Sequence, residues 1–272
     1  MPKNSSLFPL VETALLLTTP FQKTQLVGVL YEQWQQGHLQ KKTQDNPCYV
    51  LEQAGLPEKL QFDNAGKMPK RRMSTPEGRA IMLHAIAHIE FNAINLALDA
   101  VWRFREMPDA FVGDWLRVAA EEARHFEMLA KRLASLGYEY GDFPAHASLW
   151  EMAVRTDFDV LVRMALVPRV MEARGLDVTP AIIEKFRHVQ ELETMAVLQM
   201  IYDEEVGHVA IGNFWFKTLC QQRGLEPEST FIQLVRTHGQ KILKLPFNQL
   251  ARTQAGFSEF ELAMLNSLAL GH

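Results

Sequence analysis

The chain has 272 residues, of which 47% are hydrophobic and 22% are charged, and these are ordinary values for a folded globular protein. Its net charge of −4 supplies no overall attraction to nucleic acid or to an anionic membrane surface. Cys48 and Cys220 are the only cysteines and lie far apart, which excludes a disulfide framework and favours a reducing cytoplasm.

The N-terminal segment is apolar, but it lacks the pattern of a membrane anchor or a leader peptide. No apolar run in the chain reaches the roughly 18 to 20 residues of a membrane-spanning helix. Glu12 interrupts the N-terminal apolar stretch, and no small-residue cleavage site follows it. We therefore expect an amphipathic helix of the mature protein here, and no association with a membrane.

A second helix and a long irregular segment follow. Thr19 and Pro20 have the pattern of a helix cap and first turn, and they open a helix that ends at Gly37. Residues 40–73 contain five prolines and glycines, which are typical of loops. We expect an ordered loop with one short helix near Tyr49 to Ala54.

Two long helices are predicted next. The sequence Ser74 to Glu77 combines a hydroxyl cap, a first-turn proline and an acidic residue. The helix that it starts runs to about Glu106, where Met107 to Asp109 break it. Another helix covers Phe111 to Leu136 and ends at Gly137.

The second half of the chain is also helical by pattern. A loop over Tyr138 to Ala147 leads into a helical stretch from about Leu149 to Arg174, which Pro168 should kink. A further helix carries Thr194 to Cys220 and stops near Gly224.

The tail completes an all-helical pattern. Residues 226–272 indicate two short helices around the loop Lys244 to Phe247. No alternation of apolar and polar residues is long enough to predict a strand. The sequence therefore predicts an all-α protein.

Two segments repeat a spacing of carboxylate and imidazole that suits metal binding. Glu122 and His125 lie three residues apart, and so do Glu205 and His208. On a helix, residues at this spacing share a face and lie one turn apart. One such pair alone has little weight, because glutamate and histidine are common enough in this chain to give it by chance.

Two further glutamates stand at matching distances before these motifs. Glu90 precedes Glu122 by 32 residues. Glu172 precedes Glu205 by 33 residues. Glu90 shares its helix face with apolar residues, and so does the first motif. An unpaired carboxylate buried on such a face costs several kcal/mol unless a counter-charge is present. Four glutamates and two histidines directed to one core therefore require a cation.

The first spacing predicts a helical hairpin. The midpoint of Glu90 and Glu122 is residue 106, beside the turn at Met107 and Pro108. The two carboxylates should therefore lie at similar heights on antiparallel helices.

The second spacing predicts a hairpin whose turn is less obvious. The midpoint of Glu172 and Glu205 is 188.5, next to His188. A turn at Gly175 to Pro180 would instead place Glu205 roughly 37 Å along the next helix, out of reach of Glu172. We therefore predict that Gly175 to Pro180 only interrupts a helix, which resumes to about Arg187 and turns near His188. Thr179 and Pro180, at the end of the interruption, nevertheless form a good helix-start signal.

Together these residues form the ligand pattern of dinuclear carboxylate sites in four-helix bundles, where each helix pair supplies one lone Glu and one Glu-x-x-His. The predicted metal ligands are Glu90, Glu122, His125, Glu172, Glu205 and His208. Two divalent ions neutralise their four carboxylates. Oxygen-rich ligands with one histidine per metal suit iron first and manganese second, whereas thiolates would favour zinc.

Around these ligands the sequence resembles the ferritin-like superfamily of di-iron carboxylate proteins. It is most similar to a bacterial ferritin-like group classed as a domain of unknown function, and more distantly to the tRNA hydroxylase branch. The resemblance covers roughly residues 75 to 260 and does not specify a reaction. The matching segments are His88 to Glu90, Met171 to Val178, Asp203 to His208, Pro246 to Asn248 and Ala255 to Phe257.

The resemblance implies a ferritin-like four-helix bundle with helical extensions on both sides. The expected parts are an N-terminal extension and loop over 1–74, the bundle with the dinuclear site over 75–222, and a C-terminal extension packed on the bundle over 223–272. The resemblance also implies that Glu122 and Glu205 bridge the metals. Each lone glutamate then binds one metal, and the histidines are terminal ligands.

Several neighbours of the ligands are open to two interpretations. Glu121 and Glu204 are turned about 100° away on their helices, which favours surface or supporting roles over ligation. His84 and His88 share a face, and structural histidines are favoured over a proton shuttle. Tyr202 is the one weak candidate for a catalytic side chain, as an electron or proton relay, against simple packing.

Charged residues elsewhere have weaker patterns. Asp203 and Arg174 are candidates to orient the histidine ligands through hydrogen bonds. A basic cluster is more typical of a solvated face than of a phosphate site; it comprises Lys67, Lys70, Arg71 and Arg72.

The leading hypothesis is a cytoplasmic non-haem di-iron protein that activates dioxygen to oxidise an organic small molecule. An external electron donor is expected, because the sequence has no cysteine cluster, flavin fingerprint or glycine-rich nucleotide loop. A tRNA substrate is disfavoured by the net charge of −4.

Two alternatives stay open. Iron handling, as ferroxidase, storage or peroxide removal, normally uses a compact bundle, whereas this chain has roughly 75 residues before the bundle and about 50 after it. Such additions favour an enzyme with a covered pocket or a homodimer interface. A non-enzymatic helical protein with a vestigial site is the second alternative, and the presence of all six ligands disfavours it.

Overall fold

The computed structural model describes residues 4–42, 48–49, 51–63 and 72–271. Helices dominate these residues, so the all-α prediction is confirmed. The chain divides into two compact units, residues 1–154 and 155–272, which are described separately. The division into 1–74, 75–222 and 223–272 stays a prediction.

The first unit begins with two short helices and a small strand pair. Helix α1 spans Leu7–Leu16 and helix α2 spans Pro20–Gln35, as the sequence predicts. Strands β1 (Ser5–Ser6) and β2 (Leu39–Gln40) pair in parallel on either side of them. Proline occupies the first turn of α2, where its missing N–H has no helical partner to lose.

The short helix expected over Tyr49 to Ala54 is wrong for the described part of this segment, which omits residue 50. Its backbone groups bond to distant partners instead. Gly55 N–H donates to the carbonyl of Leu15 at 2.7 Å, and Trp150 Nε1 donates to the carbonyl of Glu52 at 2.9 Å. Groups used in this way do not complete the i to i−4 ladder of a helix.

The core of the first unit is an antiparallel pair of long helices, α3 (Pro76–Arg103) and α4 (Asp109–Ser135). Helix α3 ends three residues earlier than predicted, because Phe104 leaves helical geometry and its carbonyl accepts from Met107 N–H at 3.0 Å. Helix α3 is long and apolar enough to cross a membrane, but 83% of its apolar window is buried, as in a core helix.

The start of α3 provides a direct test of helix capping. Thr75 Oγ1 accepts from Gly78 N–H at 3.0 Å, so Thr75→Ala should lower the free energy of unfolding by about 1 kcal/mol. Urea unfolding measures this change. Ser74→Ala, at the exposed neighbouring position, is the control and should have little effect; equal losses in both variants would contradict the capping role.

The predicted continuous helix from Leu149 to Arg174 is wrong, because the chain breaks after α5 (Ser148–Arg155). Asp159 begins a new helix, α6 (Val160–Leu166), and accepts from Leu161 N–H at 2.7 Å. A π-helical segment, Val167–Glu172, follows α6 and contains Pro168, so the distortion predicted at this proline is confirmed.

The second unit is built on a hairpin of α7 (Ala173–His188) and α8 (Leu192–Gln222). The turn predicted near His188 is confirmed, because Gln190 adopts φ 58° just after it. The predicted interruption at Gly175 to Pro180 is wrong, since α7 runs through it.

The reason α7 tolerates an internal proline is a partner from the tail. Pro180 cannot donate to the carbonyl of Leu176, four residues earlier. Asn248 Nδ2 donates to that carbonyl at 3.1 Å. The tail therefore supplies the hydrogen bond that the proline removes.

The tail contains more helices than the two predicted. The segments are α9 (Pro227–Leu234), a π-helical turn (Val235–Gly239), a 3-10 turn (Gln240–Ile242), α10 (Gln249–Gln254) and α11 (Glu259–Leu270). Each α-helix has its own side-chain cap, from Glu226, Asn248 and Ser258 respectively. These caps start helices where apolar periodicity alone is too short to indicate them.

Candidate metal centre

Half-site A, defined as Glu90, Glu122 and His125, lies in the first unit. Helices α3 and α4 place the two carboxylates at similar heights, as their spacing predicts. His125 Nδ1 lies 3.2 Å from Glu90 Oε2 and 3.4 Å from Glu122 Oε2. One ligand atom from each residue lies within 4.8 Å of the other two, so the three side chains converge on one point.

Half-site A is buried, and its charges perturb one another. Glu90, Glu122 and His125 are 5%, 2% and 0% exposed. Burial and the charge of Glu122 raise the pKa of Glu90 to about 8. Burial lowers the pKa of His125, but hydrogen bonds to Glu122 and Glu90 and their charges outweigh burial and raise it to about 11. At pH 7 the metal-free protein therefore keeps a proton on Glu90 and a positive charge on His125.

Half-site B, defined as Glu172, Glu205 and His208, lies in the second unit. His208 is buried, and its Nδ1 lies 3.4 Å from Glu205 Oε1 on the same face of α8. Glu172 ends the π-helical segment and is half-buried.

A close helix contact places Glu172 level with His208. Pro168 packs against Gly212, where an added Cβ would lie 2.6 Å from Pro168 Cγ. Glu172 follows Pro168 by four residues, and His208 precedes Gly212 by four residues. Each therefore lies about one helical turn closer to the hairpin turn than the contact does. This register places Glu172 at a distance from the hairpin turn similar to that of its motif, and ligation by Glu172 stays a prediction.

The donor atoms of half-site A fit a divalent cation. Two carboxylates and one imidazole in a buried, mostly apolar setting form an oxygen-rich site, which suits iron or manganese. A cation there would replace the protons that Glu90 and His125 hold at pH 7 in the metal-free protein. Half-site B offers the same three groups, with Glu205 13% exposed at its side chain.

His84 and His88 hold the loop that follows α4, which favours the structural interpretation. His84 Nε2 accepts from Gly141 N–H at 2.9 Å, and His88 contacts Tyr140 Oη at 2.8 Å and the carbonyl of His146 at 3.1 Å. Burial lowers the pKa of both histidines to about 4, so they are neutral at pH 7.

The other charged candidates bond away from the histidine ligands. Asp203 is exposed and accepts from Gln199 at 2.8 Å. Arg174 donates to the carbonyls of Lys244 and Pro246 at 2.8 and 3.0 Å. The contacts of Arg174 attach the tail, and the contact of Asp203 lies within α8; a role for either in orienting His125 or His208 stays a prediction.

Tyr202 also contacts the tail, because its hydroxyl accepts from Asn248 Nδ2 at 3.0 Å. A relay role for Tyr202 stays a prediction. Most of the basic cluster, Lys67, Lys70 and Arg71, lies outside the described residues, and Arg72 is exposed.

Several buried charges beside half-site B were missed from sequence. Arg169 and Glu261 pair although 92 residues separate them, and Arg252 donates to Asp177 across 75 residues. No local periodicity links such positions. The available signal was the presence of Arg169 within an apolar run, where a charge needs a partner.

Comparisons with known proteins match most of the chain, including the predicted ligands. A family model described as "Protein of unknown function (DUF455)" matches residues 16–263, a range that contains all six predicted ligands. A Haemophilus influenzae protein described as "Uncharacterized protein" is 47% identical over 261 residues, covering 93% of this chain and 91% of that protein. No solved structure matches the chain.

Proposed function

The chain belongs to the family described as "Protein of unknown function (DUF455)", and we propose a function for it. We propose that it is a non-haem dinuclear carboxylate protein that oxidises an organic substrate with dioxygen. The observation that carries the proposal is half-site A, in which two buried carboxylates and a buried imidazole converge within 4.8 Å. Half-site B repeats the same donor types at the matching spacing in the second unit. We propose that the two half-sites join as one centre.

In this proposal each half-site holds one divalent ion, iron first and manganese second. Glu90, Glu122 and His125 would hold one ion, and Glu172, Glu205 and His208 would hold the other, with Glu122 and Glu205 facing both. Four carboxylates and two neutral imidazoles carry −4, which two divalent ions neutralise. When bound, two reduced ions supply electrons to dioxygen and oxidising equivalents to the substrate.

The residues of the chain supply the setting for that chemistry. The side chains of half-site A lie in a buried helix pair, which excludes bulk water and strengthens electrostatic interactions. Three protein groups per ion leave positions for water, dioxygen or substrate. A small-molecule substrate and an external electron donor are the partners proposed, in a cytoplasmic protein that forms at most a small assembly such as a homodimer.

The proposed architecture is a ferritin-like four-helix bundle over residues 75–222 with extensions on both sides. Its support is a pair of helical hairpins, each with one lone glutamate and one Glu-x-x-His motif. The first is α3 with α4, and the second is α7, extended by the π-helical segment that ends at Glu172, with α8. A many-subunit shell on a sizing column would contradict the enzyme and favour iron storage.

Metal content tests the proposal directly. Protein expressed with iron and manganese should contain about two of these ions per chain by elemental analysis. The double variant Glu122→Ala/Glu205→Ala removes both proposed bridges and should lose both ions. Oxygen consumption by the reduced protein, with candidate substrates, then tests the reaction.

The neighbouring glutamates provide a matched control. Glu121→Ala/Glu204→Ala removes the same charge from the same helices, one position away, and should keep both ions. Absence of bound metal in the unsubstituted protein, or equal metal content in the two double variants, would refute the dinuclear site.

A further inference from the structure

Arg169 is a fully buried arginine in the π-helical segment that ends at Glu172. Its side chain is 0% exposed, and its Nη2 donates to Glu261 Oε1 at 2.5 Å. Glu261 belongs to α11 and is also fully buried, while its other oxygen accepts from Ser258 N–H at 3.0 Å. The pair therefore ties the π-helical segment to the first turn of α11.

Three phenylalanine rings surround the Arg169 guanidinium. Its Cζ lies 3.6 Å from the ring centroid of Phe231, 4.3 Å from that of Phe216 and 5.0 Å from that of Phe257. Nε and Nη1 have no hydrogen-bond partner among the described residues, so these edges face the aromatic cage. A planar cation held by rings and one carboxylate has little freedom to rotate.

The position of Arg169 along the chain links this cage to half-site B. Pro168, one residue before it, packs on Gly212 of α8, and Glu172 lies three residues after it. π-Helical segments are rare and occur mostly as single turns inserted in α-helices, often at functional sites. The contacts of Pro168 and Arg169 therefore hold the segment three to four residues before Glu172.

A second set of contacts holds the following turn. Asp177, on α7, accepts from Arg252 Nε and Nη2 at 2.8 Å each and from Asn248 N–H at 2.9 Å. The tail thus contacts the chain on both sides of Glu172. Helix α11 pairs with Arg169 before it, and α10 bonds to Asp177 after it.

We propose that the Arg169–Glu261 pair is a positioning element for the metal centre, through which helix α11 fixes the π-helical segment and holds Glu172 at the metal. The inference rests on the proposed function, and it assigns to the C-terminal helix control over occupancy of the ion bound by half-site B. Arg169 and Glu261 act through the backbone of the segment and do not ligate.

The test is the paired variant Arg169→Met/Glu261→Gln. It removes both charges together and leaves no uncompensated ion in the core, and the amide oxygen that replaces the Glu261 carboxylate still accepts from Ser258 N–H. Manganese content should fall from about two ions per chain to about one, as in Glu172→Gln. Combining Glu172→Gln with the paired variant should cause no further loss, because both act on one ion. Arg169→Lys, which keeps the charge, should retain more metal than the paired variant.

Arg223→Met is the matched control in the same unit. It breaks the pair of Arg223 with Asp159, whose contacts are 2.7 and 2.8 Å, about 22 Å along α8 from His208. Arg223→Met should keep both ions. Amide hydrogen exchange over residues 167–173 in metal-free protein should accelerate at least tenfold in the paired variant and stay unchanged in the control.

The outcomes separate this inference from the proposed function. Two ions in both the unsubstituted protein and the paired variant would overturn the positioning role and leave the dinuclear centre intact. Equal loss of both ions, in proportion to lost fold, would also overturn it. No metal in the unsubstituted protein would overturn both, and exchange would then report only whether the pair holds the segment.

Discussion

Raising the pH from 6.5 to 8 should lower the thermal midpoint of the metal-free protein and raise that of the manganese-loaded protein. In the folded metal-free chain the pKa of Glu90 is raised from 4.5 to about 8, and that of His125 from 6.5 to about 11. The unfolded chain releases both protons near the ordinary values, whereas the folded chain keeps them. The folded state therefore binds more protons in this window, and stability falls as the pH rises.

Manganese reverses the slope because the ion takes the place of the protons. Deprotonated ligands bind metal more tightly, so the affinity of the folded state rises with pH. A ligand present at a hundred times its dissociation constant stabilises the folded state by about 2.7 kcal/mol. The measurement is the thermal midpoint in chelator and in manganese across the window; parallel slopes in both would contradict metal binding at half-site A.

Other buried groups change stability in the opposite direction, and Lys23 does so within the upper part of this window. Burial lowers the pKa of His84 and His88 to about 4, so their contribution to stability is lost as the pH falls from 6.5. Burial lowers the pKa of Lys23 to about 7, so its contribution declines as the pH falls from 10.5 toward 7. Glu90→Gln isolates the half-site A contribution, because it should flatten the metal-free slope and leave these three groups unchanged.

The spacing of the glutamates predicted the second hairpin turn better than local helix signals did. The midpoints at 106 and 188.5 placed both hairpin turns correctly, because residues equidistant from a turn lie level on antiparallel helices. Local rules alone would have ended a helix at Gly175 to Pro180. The helix continues there because Asn248 bonds the carbonyl of Leu176, a contact between residues 72 positions apart.

The remaining misses have two causes. The break before Asp159 and the helices of the tail depend on single capping side chains, which are weak signals without knowledge of the surrounding packing. The Arg169–Glu261 pair depends on a contact across 92 residues. Sequence patterns indicate which residues carry chemistry, whereas the contacts that position them are long-range and become visible only in the folded chain.

Gly212→Ala and Gly207→Ala should change stability in opposite directions, although both replace a glycine in α8. Alanine is favoured over glycine in a helix by about 1 kcal/mol. A Cβ at Gly207 meets no atom within 4 Å, so Gly207→Ala should gain roughly that amount. A Cβ at Gly212 would overlap Pro168, so Gly212→Ala should lose about 1–3 kcal/mol from overpacking. Urea unfolding of the metal-free variants measures both values.

The two glycines also differ in what they do to the metal centre. Gly212→Ala should push the π-helical segment away from α8 and carry Glu172 with it, so that manganese content falls while helix content by circular dichroism is retained. Gly207 is exposed, and its substitution should keep both ions although it lies beside His208. Equal metal content in the two variants would mean that the contact of Pro168 with Gly212 is packing alone, because a ligand held by that contact cannot stay in place when the contact is forced apart.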